Sequence, residues 1–150
     1  MIQVRGLTKN FDDFTALSDL NVHVQTGSIY GLIGVNGSGK TTLIKHLTGV
    51  YLPDAGQITY DGADICENVE VKERLGYIPD DLYFFNSYNI KDMAGFYRKI
   101  YPRWNEERYK AMLAEFGLST SRKISKFSKG MQKQAAFILT MSTMPDYLIL

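Results

Sequence analysis

One run of residues constrains this chain more than any other: Gly34-Val35-Asn36-Gly37-Ser38-Gly39-Lys40-Thr41. A glycine, four residues and then Gly-Lys-Thr is the spacing of a loop that cradles phosphate. Glycines allow positive φ and close backbone approach, so that successive N–H groups converge on an anion. A helix opening directly behind the loop adds its unpaired amides and positive dipole end. Lys40 supplies a point charge for the β and γ phosphates, and the hydroxyl of Thr41 is an oxygen ligand suited to Mg²⁺. At ordinary residue usage a chance match somewhere in a chain of this length is roughly half a per cent. The flanks agree with the pattern. The turn Gly27-Ser28 and the apolar Ile29-Tyr30-Gly31-Leu32-Ile33 precede the loop, and Thr41-Thr42-Leu43-Ile44-Lys45-His46-Leu47 follows it. The run predicts a strand, a glycine loop and a helix, and its near-continuous apolar character places that strand centrally in a parallel sheet.

Further elements are legible from turns and periodicity. Pro53-Asp54-Ala55-Gly56, then Gln57-Ile58-Thr59-Tyr60 and the turn Asp61-Gly62, predict a short antiparallel strand pair. Leu75 to Ile78, closed by Pro79, predicts another strand. From Asn89 to Tyr101 the residues Ile90, Met93, Ala94, Tyr97, Ile100 and Tyr101 recur at helical steps, and Pro102 stops them. Glu106 to Phe116 repeats the pattern up to Gly117, Ser128 is placed to cap a helix through Met141, and Tyr147 to Leu150 is strand-like. Two successive helices interrupt the strand and helix alternation. The expected fold is therefore α/β, with a helical subdomain (86–127) inserted in a nucleotide-binding core (1–85 and 128–150).

Composition excludes more than it assigns. The 17 basic and 16 acidic residues leave a formal charge of +1, without the basic stripe that a phosphate-backbone binder needs, so no nucleic acid is expected as partner. Cys66, the single cysteine, forms no internal bridge or cysteine cluster and is read as a small structural thiol. His23 and His46 lack partners at metal-ligand spacing and are read as structural, as are Trp104 and the tyrosines. No run approaches the roughly 20 apolar residues that span a bilayer.

Phosphate loops occur in GTPases, kinases, motors and transport ATPases alike. Phe127-Ser128-Lys129-Gly130-Met131-Gln132-Lys133-Gln134, before the segment Pro145-Asp146-Tyr147-Leu148-Ile149-Leu150, narrows the choice. With Leu7-Thr8-Lys9, Thr15-Ala16-Leu17, Gly56-Gln57-Ile58 and Gly76-Tyr77-Ile78-Pro79 in the same order, the whole chain resembles the ATP-binding subunits of ABC transporters. The Ser-Lys-Gly-Met form of the signature is similar to that of bacterial antibiotic and bacteriocin exporters. The resemblance implies a phosphate-loop core with a mixed or parallel sheet, a small antiparallel β subdomain and a helical subdomain. It also implies ATP and Mg²⁺ as ligands, pairing with a second copy or a related ATPase subunit, and a transmembrane permease as partner at the inner face of the cell membrane. ATP would be sandwiched between the phosphate loop of one copy and the signature of the other. The residues that carry this are Gly34, Asn36, Gly37, Ser38, Gly39, Lys40, Thr41 and Thr42 in the loop, and Ser128 and Gly130 in the signature. Apart from any family, a hydroxyl and free amides at a helix start already make an anion site there.

Phe11 stands where the family places an aromatic against adenine; core packing is the competing role for the same ring. Asp80 follows Tyr77-Ile78-Pro79 where the family usually has a glutamine near Mg²⁺ and the attacking water, and it is expected to keep the metal contact. Lys129 replaces a glycine of the common signature and is expected to face solvent. The aromatic Tyr83-Phe84-Phe85 stretch suits either an interface for the membrane subunit or simple core packing. The family's metal-holding and catalytic carboxylates and its histidine would lie beyond Leu150. The sequence thus reads as cut just before them, with ATP binding but negligible turnover expected of these residues alone. A soluble ABC-type ATPase of DNA maintenance or translation is the alternative. An unrelated GTPase would need an Asn-Lys-x-Asp motif, which is absent from the sequence.

Overall fold

A computed structural model describes residues 1–150. The chain packs as two units, Met1–Lys72 and Glu73–Leu150.

The first unit is built on a four-stranded antiparallel sheet, order β2-β1-β3-β4, formed by β1 (Ile2–Phe11), β2 (Phe14–Val24), β3 (Ala55–Tyr60) and β4 (Ala63–Asp64). β1 and β2 form a long hairpin closed by the Phe11–Phe14 pair, with Asp12 in the turn at φ 49°. Sequence reading misses this hairpin, because register shifts between Val4 and Asn10 break the alternation that marks a strand. The expected β3–β4 pair is present, turning at Asp61-Gly62. α1 (Lys40–Leu47) buries Leu43 and His46, while Val4, Leu7, Leu17, Ile58 and Tyr60 supply the sheet's share of the core. The Tyr60 hydroxyl donates to the Leu47 carbonyl at 2.6 Å, which pins β3 to the end of α1.

The expected strand at Ile29–Ile33 does not form. Those residues belong to no strand, and Ile29 and Ile33 are 103% and 96% exposed. A strand exists only by pairing, and the four strands of this unit pair with one another and not with this segment.

In the second unit β5 (Leu75–Tyr77) and β6 (Tyr147–Ile149) form a parallel pair in register Leu75–Tyr147, Gly76–Leu148 and Tyr77–Ile149. A five-residue helix, α2 (Val69–Glu73), precedes β5, all but its last residue falling in the first unit. The helices α3 (Ile90–Ile100), α4 (Glu106–Phe116) and α5 (Lys129–Ser142) fall within a residue or so of the bounds that periodicity gives. Their ends explain why. Asn89 accepts from the Asp92 amide at 2.9 Å while the Asp92 carboxylate accepts from the Asn89 amide, a reciprocal cap that starts α3. Asn105 caps α4, and Gly117, left-handed at φ 63°, ends it. The core of the unit gathers Ile90, Met93 and Ala94 from α3, Tyr109 from α4, Ala135, Ile138 and Leu139 from α5, and Leu118, Ile124 and Phe127 from the connections. Each large aliphatic buried there contributes about 1.5–3 kcal/mol.

One carboxylate ties distant parts of this unit together. Asp146, just ahead of β6, accepts from Arg74 at 2.6 Å and from Arg103, in the α3–α4 connection, at 2.8 Å. The Arg103 and Arg74 guanidinium groups hold the Asp146 carboxyl down at about 2.

Candidate nucleotide site

Within the first unit the phosphate loop leads into α1 through Gly39, which caps the helix in the left-handed region at φ 85°. A Cβ at Gly39 would stand 2.8 Å from the Ala16 carbonyl oxygen and 2.9 Å from Leu17 Cδ2, so glycine is demanded twice, by φ and by the closeness of β2. The Leu43 amide makes the first helical bond, to the Gly39 carbonyl at 2.8 Å, which leaves the amides of Lys40, Thr41 and Thr42 without acceptors in the helix. No acidic residue competes in the first turn. The Lys40 ammonium turns back into the loop and donates to the Gly34 and Val35 carbonyls, both at 2.7 Å. Gly34 to Ser38 are exposed, as is Thr41, so the loop, the free amides and a hydroxyl are all open to a ligand.

Phe11 closes the β1–β2 hairpin of this same unit and is 39% exposed. Core packing therefore does not account for it. Its ring meets Tyr51 edge-on at 5.7 Å, and the Lys9 ammonium lies 5.6 Å from its centroid. These neighbours are not apparent in sequence, where Lys9 and Asp54, bonded at 2.7 Å, stand far apart.

The second unit carries the other expected residues. Ser128 caps α5, its hydroxyl accepting from the Met131 amide at 3.3 Å, and a Cβ at Gly130 would meet nothing closer than the Ser128 hydroxyl at 3.9 Å. The approach is open, and Lys129 faces solvent as expected. Phe127, 6% exposed, anchors this corner, and the Gln132 side chain donates to the Ile124 and Phe127 carbonyls, fixing the chain that enters the helix. Asp80 is fully exposed and pairs with Lys133 of α5 at 3.5 Å, a partner that spacing does not reveal.

Residues expected to be structural mostly are. His46 is buried, with its Nδ1 2.7 Å from the Thr42 carbonyl. Trp104 donates to Glu106, whose carboxyl is held low by Arg98 and then by Trp104. Burial pushes the Tyr97 phenol up to about 12, which leaves it protonated at any physiological pH. Cys66 differs from expectation: it lies at the surface, just after the short β4, and is not part of the core. The aromatic stretch divides. Phe84 packs on the core of the second unit, whereas Tyr83 is 81% exposed and stands edge-on to Phe85, which in turn meets Phe96.

A glycine loop closing on a lysine, ahead of a helix whose first amides are free, defines a phosphate-loop nucleotide-binding protein of α/β build. The match to known proteins is more particular. The ABC transporter family model matches residues 17–150, and the chain belongs to that family. It is 30% identical over 150 residues to the ABC transporter ATP-binding protein YtrB of Bacillus subtilis, covering all of this chain and 51% of that protein. It is 32% identical to the sulfate/thiosulfate import ATP-binding protein CysA of Synechocystis, over 99% of this chain and 43% of that one. Among solved structures an ATP-binding subunit of an ABC transporter superposes with a TM-score of 0.88 at 26% identity, over 99% of this chain and 65% of its own. The chain thus spans about half the length of the curated relatives it matches.

Proposed function

We propose that this chain belongs to the ATP-binding and ATP-hydrolysing subunit of an ABC membrane transporter, of the exporter type, working at the cytoplasmic face of the membrane, and that these residues bind ATP but by themselves turn it over negligibly. The observation that carries the reading is the loop itself: a lysine ammonium gathered by loop carbonyls beside free amides at the foot of α1. These groups suit a polyphosphate, since every one of them donates and none of the side chains in the first turn is acidic. Lys40 and the amides from Gly37 to Thr42 hold the phosphates, with Gly34, Asn36 and Ser38 shaping the loop. Phe11 offers its exposed ring to the base. The Thr41 hydroxyl is a hard oxygen donor that fits Mg²⁺, which when bound would neutralise phosphate charge there, and the exposed Asp80 carboxylate of the second unit is itself a hard oxygen donor.

Ser128 and Gly130 belong to the opposite face of the reaction in this reading. A capped helix start with an unobstructed approach receives the γ-phosphate held by a second copy, or by a related ATPase subunit, so that ATP closes the pair and hydrolysis reopens it. The exposed Tyr83, Phe85 and Phe96 offer an aromatic surface for a permease subunit. Export is supported by the Ser-Lys-Gly-Met signature at Ser128 to Met131. The test is ATP binding by calorimetry, and self-association by light scattering with and without Mg-ATP. Wild type binds and pairs, Lys40→Ala loses both, and Ser128→Arg binds ATP without pairing. Binding that survives Lys40→Ala overturns the reading.

A further inference from the structure

The ring of Phe11 is held from behind by a device that joins it to the phosphate-loop helix. Lys45, on α1 five positions after Lys40, donates to the Tyr51 hydroxyl at 3.1 Å and lies 4.8 Å from the Tyr51 ring centroid. Tyr51 in turn meets His46 edge-on at 5.6 Å and Phe11 edge-on at 5.7 Å. A cavity of about 280 Å³, lined by His46, Tyr51, Leu52, Ile58, Ile65 and Cys66, adjoins this loop. Dense packing therefore does not fix Tyr51 on that side, and its ring and hydroxyl contacts do.

The loop that bears Tyr51 is fastened to β1 immediately ahead of Phe11. Asp54 accepts from the Lys9 ammonium and from the Asn10 amide, both at 2.7 Å, and its own amide donates to the Thr8 carbonyl at 3.0 Å. Lys9 also donates to the Leu52 carbonyl at 3.2 Å while lying over the Phe11 ring. The Lys9 ammonium and the Asn10 amide hold the Asp54 carboxyl below its ordinary range, so the fastening persists at neutral pH.

We propose that Tyr51 is a positioning residue for the nucleobase: braced by Lys45, it sets the edge of the Phe11 ring so that base and phosphates are presented at a fixed spacing. The proposal rests on the reading of Phe11 as the base platform. For ligand binding, an aromatic edge contact with Phe11 bears on what lies on that ring, so its removal acts on the nucleoside end of the ligand and not on the phosphate end.

The experiment measures the affinities of the full chain for Mg-ATP and for inorganic tripolyphosphate in wild type, Tyr51→Leu, Tyr51→Phe and Phe11→Ala. Tyr51→Leu is expected to weaken ATP by about three- to tenfold and to leave tripolyphosphate unchanged. Tyr51→Phe, which keeps the ring against Phe11 and under Lys45 but loses the hydroxyl bond, is expected to weaken ATP less than Tyr51→Leu does and to leave tripolyphosphate unchanged. If Phe11→Ala weakens ATP but Tyr51→Leu does not, the positioning role is overturned while the platform reading stands. If Phe11→Ala leaves ATP untouched, the platform reading fails and the proposal falls with it. An equal loss of ATP and tripolyphosphate in Tyr51→Leu also overturns it, by showing damage to the phosphate loop.

Discussion

At the scale of single residues, the loop depends on two that act by different means. Lys40 acts by charge. Lys40→Ala removes hydrogen bonds to phosphate worth about 1.5–3 kcal/mol each, so titration with a fluorescent nucleotide is expected to show a loss of at least tenfold in affinity with little change in melting temperature. Gly39 acts by absence of bulk. Gly39→Ala puts a Cβ 2.8 Å from the Ala16 carbonyl oxygen at φ 85°, and thermal unfolding is expected to report a destabilisation of about 1–3 kcal/mol. Both residues are legible in the sequence, because their spacing is dictated by the anion and not by the rest of the fold. What surrounds them is not. Tyr51, Lys45, Asp54 and Lys133 reach their partners through tertiary contacts that no local pattern encodes.

At the scale of elements, the helices are legible to within a residue or so because apolar periodicity is local and some of its ends carry local signals: Pro102 after α3, Gly117 after α4 and Ser128 ahead of α5, whereas the caps at Asn89 and Asn105 emerge only from the structure. Asn89→Ala removes the side-chain half of the reciprocal cap on α3, the bond from the Asp92 amide, while the backbone amide at position 89 still donates to Asp92, and a loss of about 1 kcal/mol is expected in denaturant unfolding. Strands were less legible. β1 and β2 hide behind register shifts, and the apolar Ile29–Ile33 has the composition of a buried strand without a partner to pair with. The clamp at Asp146 makes a separate prediction. Its carboxyl is held at about 2 by Arg103 and Arg74, so its folded-state value lies below the unfolded one. Its contribution is therefore present above about pH 4 and is lost as pH falls toward 2. The difference in melting temperature between wild type and Asp146→Asn is expected to be largest near neutrality and to close over that acid range. Added salt should shrink it, since the pair is partly solvent-exposed.

At the scale of the whole chain, two surface features bear on behaviour in solution. Ile29 and Ile33 are almost wholly exposed on a segment with unpaired backbone, a combination that favours association between molecules. The double change Ile29→Lys with Ile33→Lys is expected to reduce self-association in light scattering without lowering the melting temperature, because neither side chain contributes to a core. Ligand acts in the other direction: Mg-ATP at a hundred times its dissociation constant adds about 2.7 kcal/mol to the stability of whatever part binds it. The position of Lys40 carries a further consequence. Its charge is shared between the Gly34 and Val35 oxygens, so anything entering the loop has to offer that ammonium a better acceptor than two neutral carbonyls. Phosphate oxygens do, and a nucleoside cannot. Adenosine should therefore leave the lysine where it is, and the loop selects by charge before the base is ever tested.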